Sequence, residues 1–369
     1  MLVCPYYPPH IGGAENYVYN IAKGLSQTHD WKVIVITSNR QDKRLQTTLE
    51  GGITVYRLPS LFTFSNTPIN PFWYFQIRKI IQQEHPDLIN AHTPVPFIAD
   101  IAALANQKIP FIVTYHCGST IKQNSVWNIP IFIYEKLLLK YTLNYTKMII
   151  CVSDYVRNGF LRNYKDMTIT INPGVDNVGK YQEKSFDNKT ILFVASLTKS
   201  QRHKGFKYLL QALVAVKKRV KNAKLFVVGD GDAVLEYKKL AKTLGLEHNV
   251  VFTGPLFGEK LNNMFRRAHI LVLPSLSESF GMVLIEAMAQ GTPVIGTAIG
   301  GIPDIVTHGK EGLIVPPYNS QALADAITTI LENSALAETM GKAGFEKVKN
   351  NYLWDTKVKT TKAVFERFL

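Results

Sequence analysis

Short runs of β-branched and other apolar residues alternate with longer amphipathic stretches, and this alternation constrains the fold more than any other feature of the sequence. The pattern is typical of parallel α/β units, whose strands are covered by helices on both faces. The runs that predict strands are residues 2–4, 32–37, 54–58, 88–91, 111–115, 148–152, 168–172, 190–195, 224–228, 250–253, 270–274, 293–296 and 312–315. Amphipathic stretches such as 206–220 and 283–290 predict intervening helices. We therefore expect an α/β protein with doubly wound parallel sheets.

Two domains are expected, because 369 residues exceed the size at which one hydrophobic core usually stops growing. Residues 172–176, Asn-Pro-Gly-Val-Asp, are rich in turn formers, and the polar segment 179–189 follows them. We place the boundary there, with domains at 1–172 and 173–351. The tail 352–369 predicts a helix that packs back onto the first domain. In doubly wound sheets ligands bind beyond the carboxyl ends of the strands, so the loops after the strands are the candidate sites.

The charge balance favours anionic partners, because 42 Lys and Arg residues against 28 Asp and Glu give a formal net charge of +14. Nucleic acid, phosphorylated metabolites and an anionic membrane surface all fit this charge, but no nucleic-acid-binding module is recognisable. No apolar run reaches the ~18 residues of a membrane span, and the first residues do not resemble a signal peptide. Cys4, Cys117 and Cys151 form no CxxC pair, so we expect neither disulfides nor zinc and predict a cytoplasmic protein.

Gly12 and Gly13 follow the first predicted strand and precede the helix-patterned run 16–25. Paired glycine residues at such a turn let backbone N–H groups approach an anion at the positive end of a helix. The alternative is a tight turn that requires a positive φ.

A second strand-to-helix loop follows the predicted strand 270–274. If the next helix points its N-terminus at a diphosphate, the backbone amides of Phe280, Gly281 and Met282 can hold the phosphate oxygens. The sequence therefore predicts an anion site at this loop.

Two carboxylates, Glu278 and Glu286, flank this helix start. A carboxylate would be repelled by phosphate, but it accepts bidentate hydrogen bonds from neighbouring hydroxyl groups, as in a sugar. The alternative is a capping residue and a solvent-facing glutamate. Apolar neighbours on either side make Glu286 poorly suited to a solvated face.

Residues 278–295 read E-S-F-G-x-x-x-x-E-A-M-A-x-G-x-P-V-I, and through this motif the sequence resembles the family 4 glycosyltransferases. Further matching elements follow in the expected order: Gly-Gly-x-Glu at 12–15, His116 after a strand, Asn-Pro-Gly-Val-Asp at 172–176, Lys-Gly at 204–205, Val-Gly-Asp-Gly at 228–231 and Gly-Gly-Ile-Pro-Asp at 300–304. The resemblance covers nearly the whole chain. It implies the GT-B architecture, two Rossmann-like domains facing a central cleft, and sugar transfer from a UDP- or GDP-sugar with retention of configuration.

The resemblance also implies roles for individual residues. Glu286 would bind the nucleotide ribose, and Glu278 would bind the donor sugar. Lys204 and a nearby arginine would neutralise the diphosphate, with Gly13 beside it. His116 would contact the sugar near the reacting centre. Without the resemblance, Lys204 would be interpreted as a surface lysine and His116 as a structural residue.

One segment departs from the family pattern. Residues 195–197 read Ala-Ser-Leu, where family members commonly carry Gly-Arg-Leu. We expect Arg202 to take the arginine role in catalysis, with Lys199 as the competing candidate.

No cofactor is expected besides the nucleotide-sugar co-substrate. Asp230 and Asp232 lack a third ligand at metal-binding spacing, and the family it resembles usually works without a bound metal. The implied acceptor is a hydroxyl group of a glycan, a lipid-linked molecule or a small molecule. An NAD-dependent oxidoreductase is disfavoured, because Val234 stands where the dinucleotide fingerprint needs its third glycine. A non-catalytic nucleotide- or glycan-binding protein is the other alternative.

Residues 129–146 are apolar and aromatic with basic interruptions. One interpretation is attachment at the inner face of an anionic membrane, beside a lipid-linked acceptor. The other is a helix buried against the first-domain sheet, which the resemblance favours.

Overall fold

The computed structural model describes residues 1–9, 12–39, 42–64, 67–118, 128–176 and 178–369. The chain forms two compact units. The first comprises Met1–Pro173 together with Trp354–Leu369, and the second comprises Gly174–Leu353. These limits differ by one or two residues from those expected from the turn-rich segment.

The first unit alternates strands and helices, except between its first two helices, where several strands follow one another. Its strands are β1 (Leu2–Val3), β2 (Ile34–Asn39), β3 (Gln46–Glu50), β4 (Ile53–Pro59), β5 (Phe62–Phe64), β6 (Thr67–Ile69), β7 (Ile89–Thr93), β8 (Phe111–Tyr115), β9 (Met148–Cys151) and β10 (Thr168–Thr170). Its helices are α1 (Gly13–Ser26), α2 (Trp73–Glu84), α3 (Ile98–Ala105), α4 (Asn128–Tyr134), α5 (Lys140–Tyr145), α6 (Asp154–Asn158) and α14 (Trp354–Glu366), with a π-helical turn at Glu135–Leu139 and a 3-10 turn at Arg162–Met167.

Eight of these strands form one sheet in the order β10-β9-β8-β7-β1-β2-β4-β3. All neighbours are parallel except β3 and β4. The central strands are buried, and β7 and β8 are buried at every residue, so β7 carries the polar side chains of Asn90 and His92 inside the unit. The C-terminal helix α14 contacts α1, where the rings of Trp354 and Tyr17 meet edge to face at 5.6 Å.

The second unit repeats the plan. Its strands are β11 (Thr190–Val194), β12 (Lys224–Val228), β13 (Val250–Gly254), β14 (Ile270–Leu273), β15 (Val294–Thr297) and β16 (Gly312–Val315). Its helices are α7 (Phe206–Arg219), α8 (Val234–Thr243), α9 (Gly258–Arg267), α10 (Met282–Ala289), α11 (Ile302–Ile305), α12 (Ser320–Glu332) and α13 (Ser334–Asn351), with a 3-10 segment at Lys199–Lys204. The six strands are parallel in the order β13-β12-β11-β14-β15-β16.

Each of the two large sheets contains a point at which the strand order reverses. In the second unit the chain runs from β11 through β12 to β13 on one side, and then crosses to β14 on the other side. In the first unit the same reversal separates β1 from β7. Such a switch point opens a crevice beyond the carboxyl ends of its two strands, which is where ligands bind in this class of sheet.

The structure confirms the α/β class with parallel sheets and corrects the sequence-based expectation in two places. The antiparallel strand β3 and the hairpin β5–β6 were not expected. The helical segment 129–146 is not buried throughout, because Tyr134, Leu139 and Leu143 face inward while another face is exposed. The expectation of a buried helix was therefore wrong for that outer face.

Candidate active site

Two loops meet at the switch point of the second unit. Residues 195–205 follow β11, and residues 274–281 follow the neighbouring strand β14. Lys204 Nζ donates a hydrogen bond to Glu278 Oε2 at 2.6 Å, and the two side chains are 24% and 12% exposed. The structure therefore brings two of the predicted catalytic side chains together in a partly buried ion pair.

Two glycine residues let the backbones of these loops approach closely. Gly205 has a φ of +74°, and a Cβ there would overlap the carbonyl oxygen of Pro274. Gly300, in the turn after β15, has a φ of +58°, and a Cβ there would overlap the carbonyl oxygen of Glu278. The Gly301 amide donates to that same oxygen at 3.0 Å. The turn after β15 thus fixes the backbone of Glu278.

The predicted anion-binding residues Phe280, Gly281 and Met282 lie at the N-terminus of α10. Gly281 is the N-cap residue with a φ of 109°, no side chain caps the helix, and no acidic residue occupies the first turn. The first amides of a helix have no partner within the helix, and the helix dipole makes this end positive. The geometry suits an anion such as a diphosphate.

Glu286 lies one turn further along α10. Although the residue keeps some exposed surface, burial of its carboxyl group raises the pKa to about 7. Among the described residues, the carboxyl group has no hydrogen-bond or ion-pair partner. The alternative of a fully solvent-facing Glu286 therefore does not hold, and the unpartnered carboxyl group is suited to binding hydroxyl groups supplied by a ligand.

The loop after β1 carries the paired glycine residues of the first unit. Helix α1 begins at Gly13, and its N-cap Gly12 is extended with a φ of −175°. The alternative of a positive-φ turn is therefore wrong at both positions. A Cβ on Gly12 would meet the end of the Glu15 side chain, which can move aside, so neither this contact nor the φ of Gly12 requires glycine here. The neighbouring His10 and Ile11 lie outside the described residues.

His116 immediately follows β8, and its amide donates to the Thr93 carbonyl oxygen at 3.0 Å. Its Nε2 lies 2.7 Å from Nδ1 of His92, which is buried on β7. Burial lowers the pKa of His116 to about 3, so the ring is neutral at physiological pH. Sequence reasoning missed His92. The only local signal was that each histidine comes directly after a predicted strand, 88–91 or 111–115, and the sequence does not show that these two strands are neighbours.

Two family models match almost the entire chain. "Glycosyltransferase Family 4" matches residues 11–177, and "Glycosyl transferases group 1" matches residues 179–347. The chain belongs to the family 4 glycosyltransferases. It is therefore an enzyme of the hexosyltransferase type rather than an oxidoreductase or a non-catalytic binding protein.

Similar proteins extend over the same length. An uncharacterized glycosyltransferase of Methanocaldococcus jannaschii is 28% identical over 99% of this chain and 97% of its own. The phosphatidyl-myo-inositol mannosyltransferase of Mycobacterium leprae is 26% identical over 99% and 96%. Among solved structures, sucrose-phosphate synthase from Thermosynechococcus elongatus has a TM-score of 0.80 at 23% identity, covering 99% of this chain and 98% of that one. This likeness confirms the GT-B fold.

The arginine expected to assist this glycosyltransferase is not joined to the Lys204–Glu278 pair. Arg202 forms a 2.6 Å ion pair with Glu236, and both side chains are more than half exposed. Lys199 is exposed, and its backbone amide donates to Asp232. In the described part of the chain neither side chain bonds to Glu278, so the catalytic role of Arg202 stays a prediction.

The described residues contain no cluster of three or more His, Cys, Asp or Glu side chains arranged to hold a metal ion. No helix within these ranges combines the length and apolar character that crossing a bilayer requires.

Proposed function

We propose that this glycosyltransferase moves a hexosyl group, with retention of configuration, from a nucleoside-diphosphate sugar to a hydroxyl group of a glycan or lipid-linked acceptor. Relatives at 26% identity include a GDP-mannose-dependent phosphatidylinositol monomannoside mannosyltransferase of Mycobacterium tuberculosis, whose name favours GDP-mannose as the first donor to test. A structural neighbour, Anabaena HepE, is described in complex with UDP and glucose, so UDP-glucose is the second.

The observation that carries this proposal is the desolvated, unpartnered Glu286 carboxyl group on the helix that starts at the switch-point loop. A largely desolvated carboxyl group without a protein partner is unfavourable unless a ligand supplies hydrogen bonds, and the Glu286 oxygen atoms keep enough exposed surface for a ligand to reach them. Vicinal ribose hydroxyls would supply the two missing hydrogen bonds and favour the ionised form. We therefore assign Glu286 to the ribose of the donor.

Donor binding would exchange partners within the Lys204–Glu278 pair. Lys204 would turn from the carboxylate to the diphosphate, and Glu278 would then accept hydrogen bonds from the sugar hydroxyls. During transfer, the bond from the anomeric carbon to the phosphate oxygen breaks while the bond to the acceptor oxygen forms. The acceptor proton passes to a donor phosphate oxygen, and the nucleoside diphosphate leaves. Lys204 and the amides at the start of α10 would stabilise the charge that grows on that phosphate.

Titration calorimetry with GDP and UDP tests the donor site. Nucleotide affinity should fall about tenfold from about pH 8 to about pH 6, because Glu286 must lose a proton to bind both hydroxyls. The phosphate also titrates, so Glu286→Gln is the matched control. It should bind more weakly at the higher pH and lose the part of the pH dependence due to Glu286. Binding of NAD but of no nucleoside diphosphate, or equal affinities for both variants at the higher pH, would refute the assignment.

We also propose that the acceptor is presented at an anionic membrane surface. Four exposed apolar side chains in the segment 129–146 form what we call the apolar helix face: Ile129, Phe132, Ile133 and Leu137. Lys136 lies over the Phe132 ring at 5.5 Å, and Lys140 is exposed one turn further on. Apolar side chains bordered by lysines suit an interface with anionic lipid headgroups.

Sedimentation with vesicles tests this contact. The protein should sediment with mixed phosphatidylcholine–phosphatidylglycerol vesicles, less so at high salt, and not with phosphatidylcholine alone. The double variant Phe132→Ser/Ile133→Ser should lose binding, whereas Leu235→Ser should retain it, since Leu235 is 80% exposed but lies on α8. Equal sedimentation of both variants would refute the contact.

A further inference from the structure

The second ring of the histidine pair, His92, has no part in the function proposed above. His92 Nδ1 lies 2.7 Å from His116 Nε2, the ring centroids are 5.0 Å apart, and the ring planes differ by 17°. The two nitrogen atoms are much closer to each other than the ring centroids are, so each nitrogen lies on the side of its ring that faces the other ring. The rings therefore meet edge to edge in nearly the same plane. The two nitrogen atoms therefore share one hydrogen bond in the plane of both rings.

Both rings of the pair are neutral. Burial lowers the pKa of His116 to about 3. The pKa of His92 lies well below its usual range, mainly because the ring is buried and to a smaller extent because His116 is close. A neutral imidazole carries its proton on only one nitrogen. One shared hydrogen bond therefore couples the two tautomers. If His92 donates from Nδ1, His116 must carry its own proton on Nδ1, and if His116 donates from Nε2, His92 must carry its proton on Nε2.

The surroundings of the outer nitrogen atoms distinguish these two states. His92 Nε2 is buried without a hydrogen-bond partner among the described residues. His116 Nδ1 also has no hydrogen-bond partner among the described residues, but unlike His92 Nε2 it is not fully buried. A buried N–H group without an acceptor is rarer than an acceptor without a donor. The arrangement in which His92 donates avoids a buried orphan N–H and places the His116 proton on the accessible nitrogen.

We infer that His92 is a positioning residue for sugar transfer, whose Nδ1–H group holds His116 in the tautomer that carries its proton on Nδ1. His116 then presents a hydrogen-bond donor to an oxygen atom of the donor sugar. This inference rests on the function proposed above and, within it, on the contact between His116 and the donor sugar that the family resemblance implies. The side chain that fixes the tautomer of His116 is thus His92, which lies on the neighbouring strand, 24 residues earlier in the chain.

The pair also packs against Tyr17, whose ring meets that of His116 at 5.2 Å and that of His92 at 6.3 Å. A substitution at His92 therefore changes packing as well as the proton. His92→Leu removes the donor, while His92→Asn keeps an amide N–H near the position of Nδ1. Comparison of the two variants separates the hydrogen bond from the packing.

Long-range 1H–15N spectra of the full-length, 15N-labelled protein report the His116 tautomer directly, with His116→Ala used to assign the signals. Wild type and His92→Asn should carry the His116 proton on Nδ1, whereas His92→Leu should show a mixture. Turnover with the nucleotide-sugar donor should fall about tenfold in His92→Leu and recover in His92→Asn. Affinity for the nucleoside diphosphate alone should not change in either variant.

A wild-type spectrum with the His116 proton on Nε2 would overturn the inference, even if His92→Leu does not fold. Equal loss of turnover in the Asn and Leu variants would overturn it as well. Full transfer activity of His116→Ala would instead refute the proposed contact between His116 and the sugar. The spectra and the turnover of His116→Ala therefore distinguish failure of the inference from failure of the proposed function.

Discussion

The Lys204–Glu278 ion pair places the phosphate-binding cation of the proposed site in contact with the sugar-binding carboxylate, so a nucleotide must compete with Glu278 for Lys204. Glu278→Gln removes that competing charge. We expect GDP or UDP to bind about fivefold more tightly to this variant, since a partly exposed charge pair is worth about 1 kcal/mol. Sugar transfer should fall by at least tenfold, because an amide is a weaker acceptor for sugar hydroxyls. Calorimetry and a transfer assay measure the two effects separately.

Glu332→Gln is the matched control for this prediction. Glu332 pairs with Arg219 at 2.9 Å on an exposed surface of the same unit. The control should leave nucleotide affinity and transfer unchanged. Weaker nucleotide binding by Glu278→Gln would mean that Glu278 supports the nucleotide itself, contrary to its assignment to the sugar.

At the scale of single residues, the sequence predicted the environment of a side chain better than its partners. The apolar neighbours of Glu286 predicted that it does not lie on a solvated face. The pairing of Lys204 with Glu278 depends on β11 lying beside β14, which no local pattern reports. His92 was missed for the same reason, since its partner is set by the register of two strands. Arg202 was expected at the site, but its exposed loop pairs it with Glu236.

Between elements, the turn after β15 supports the loop after β14 through direct backbone contact. Gly300→Ala should displace the Glu278 backbone, because the new Cβ would overlap its carbonyl oxygen. We expect a loss of more than 1 kcal/mol in the free energy of unfolding, beyond the cost of a positive φ alone. Nucleotide-sugar affinity should fall as well. Denaturant unfolding and calorimetry with the donor measure these changes.

Gly245→Ala is the control that separates the strain of a positive φ from the backbone contact made at Gly300. Gly245 has a φ of +66°, close to that of Gly300, but a Cβ there meets no atom within 4 Å. The free energy of unfolding of this control should fall only by the cost of a positive φ, and its affinity for the donor should not change. If the two variants are equally destabilised and bind the donor equally well, the backbone contact does not support the site.

The strands that the sequence predicted carry apolar or β-branched runs, and all of them lie in the two large sheets. Strand β3 was missed because its residues are almost entirely exposed, and its place depends only on antiparallel pairing with β4. The hairpin β5–β6 consists of two three-residue strands, too short for a recognisable period. The segment 129–146 was expected to be buried because the family resemblance favours a buried helix, but neither the resemblance nor the apolar composition reports which face of the helix meets the sheet.

At the scale of the whole molecule, the last helix belongs to the unit that begins the chain. Phe365 on α14 is buried in the first unit, where its ring lies 6.1 Å from that of Trp31. Replacing a buried phenylalanine with alanine typically costs about 3–5 kcal/mol. Phe365→Ala should therefore lower the melting temperature of the first unit, although the substitution lies at the C-terminus. The exposed Leu369 provides the matched control, and Leu369→Ala should leave stability unchanged.

Scanning calorimetry with and without GDP or UDP identifies which unit melts in each transition. A ligand raises the melting temperature of the unit that binds it, so the transition of the second unit should shift upward with nucleotide. Phe365→Ala should lower the other transition and leave the nucleotide-dependent shift in place. If Phe365→Ala lowers only the nucleotide-responsive transition, then either α14 stabilises the second unit or the first unit binds the nucleotide. Nucleotide titration of Glu286→Gln in the same instrument decides between these explanations, because that substitution alters only the second unit.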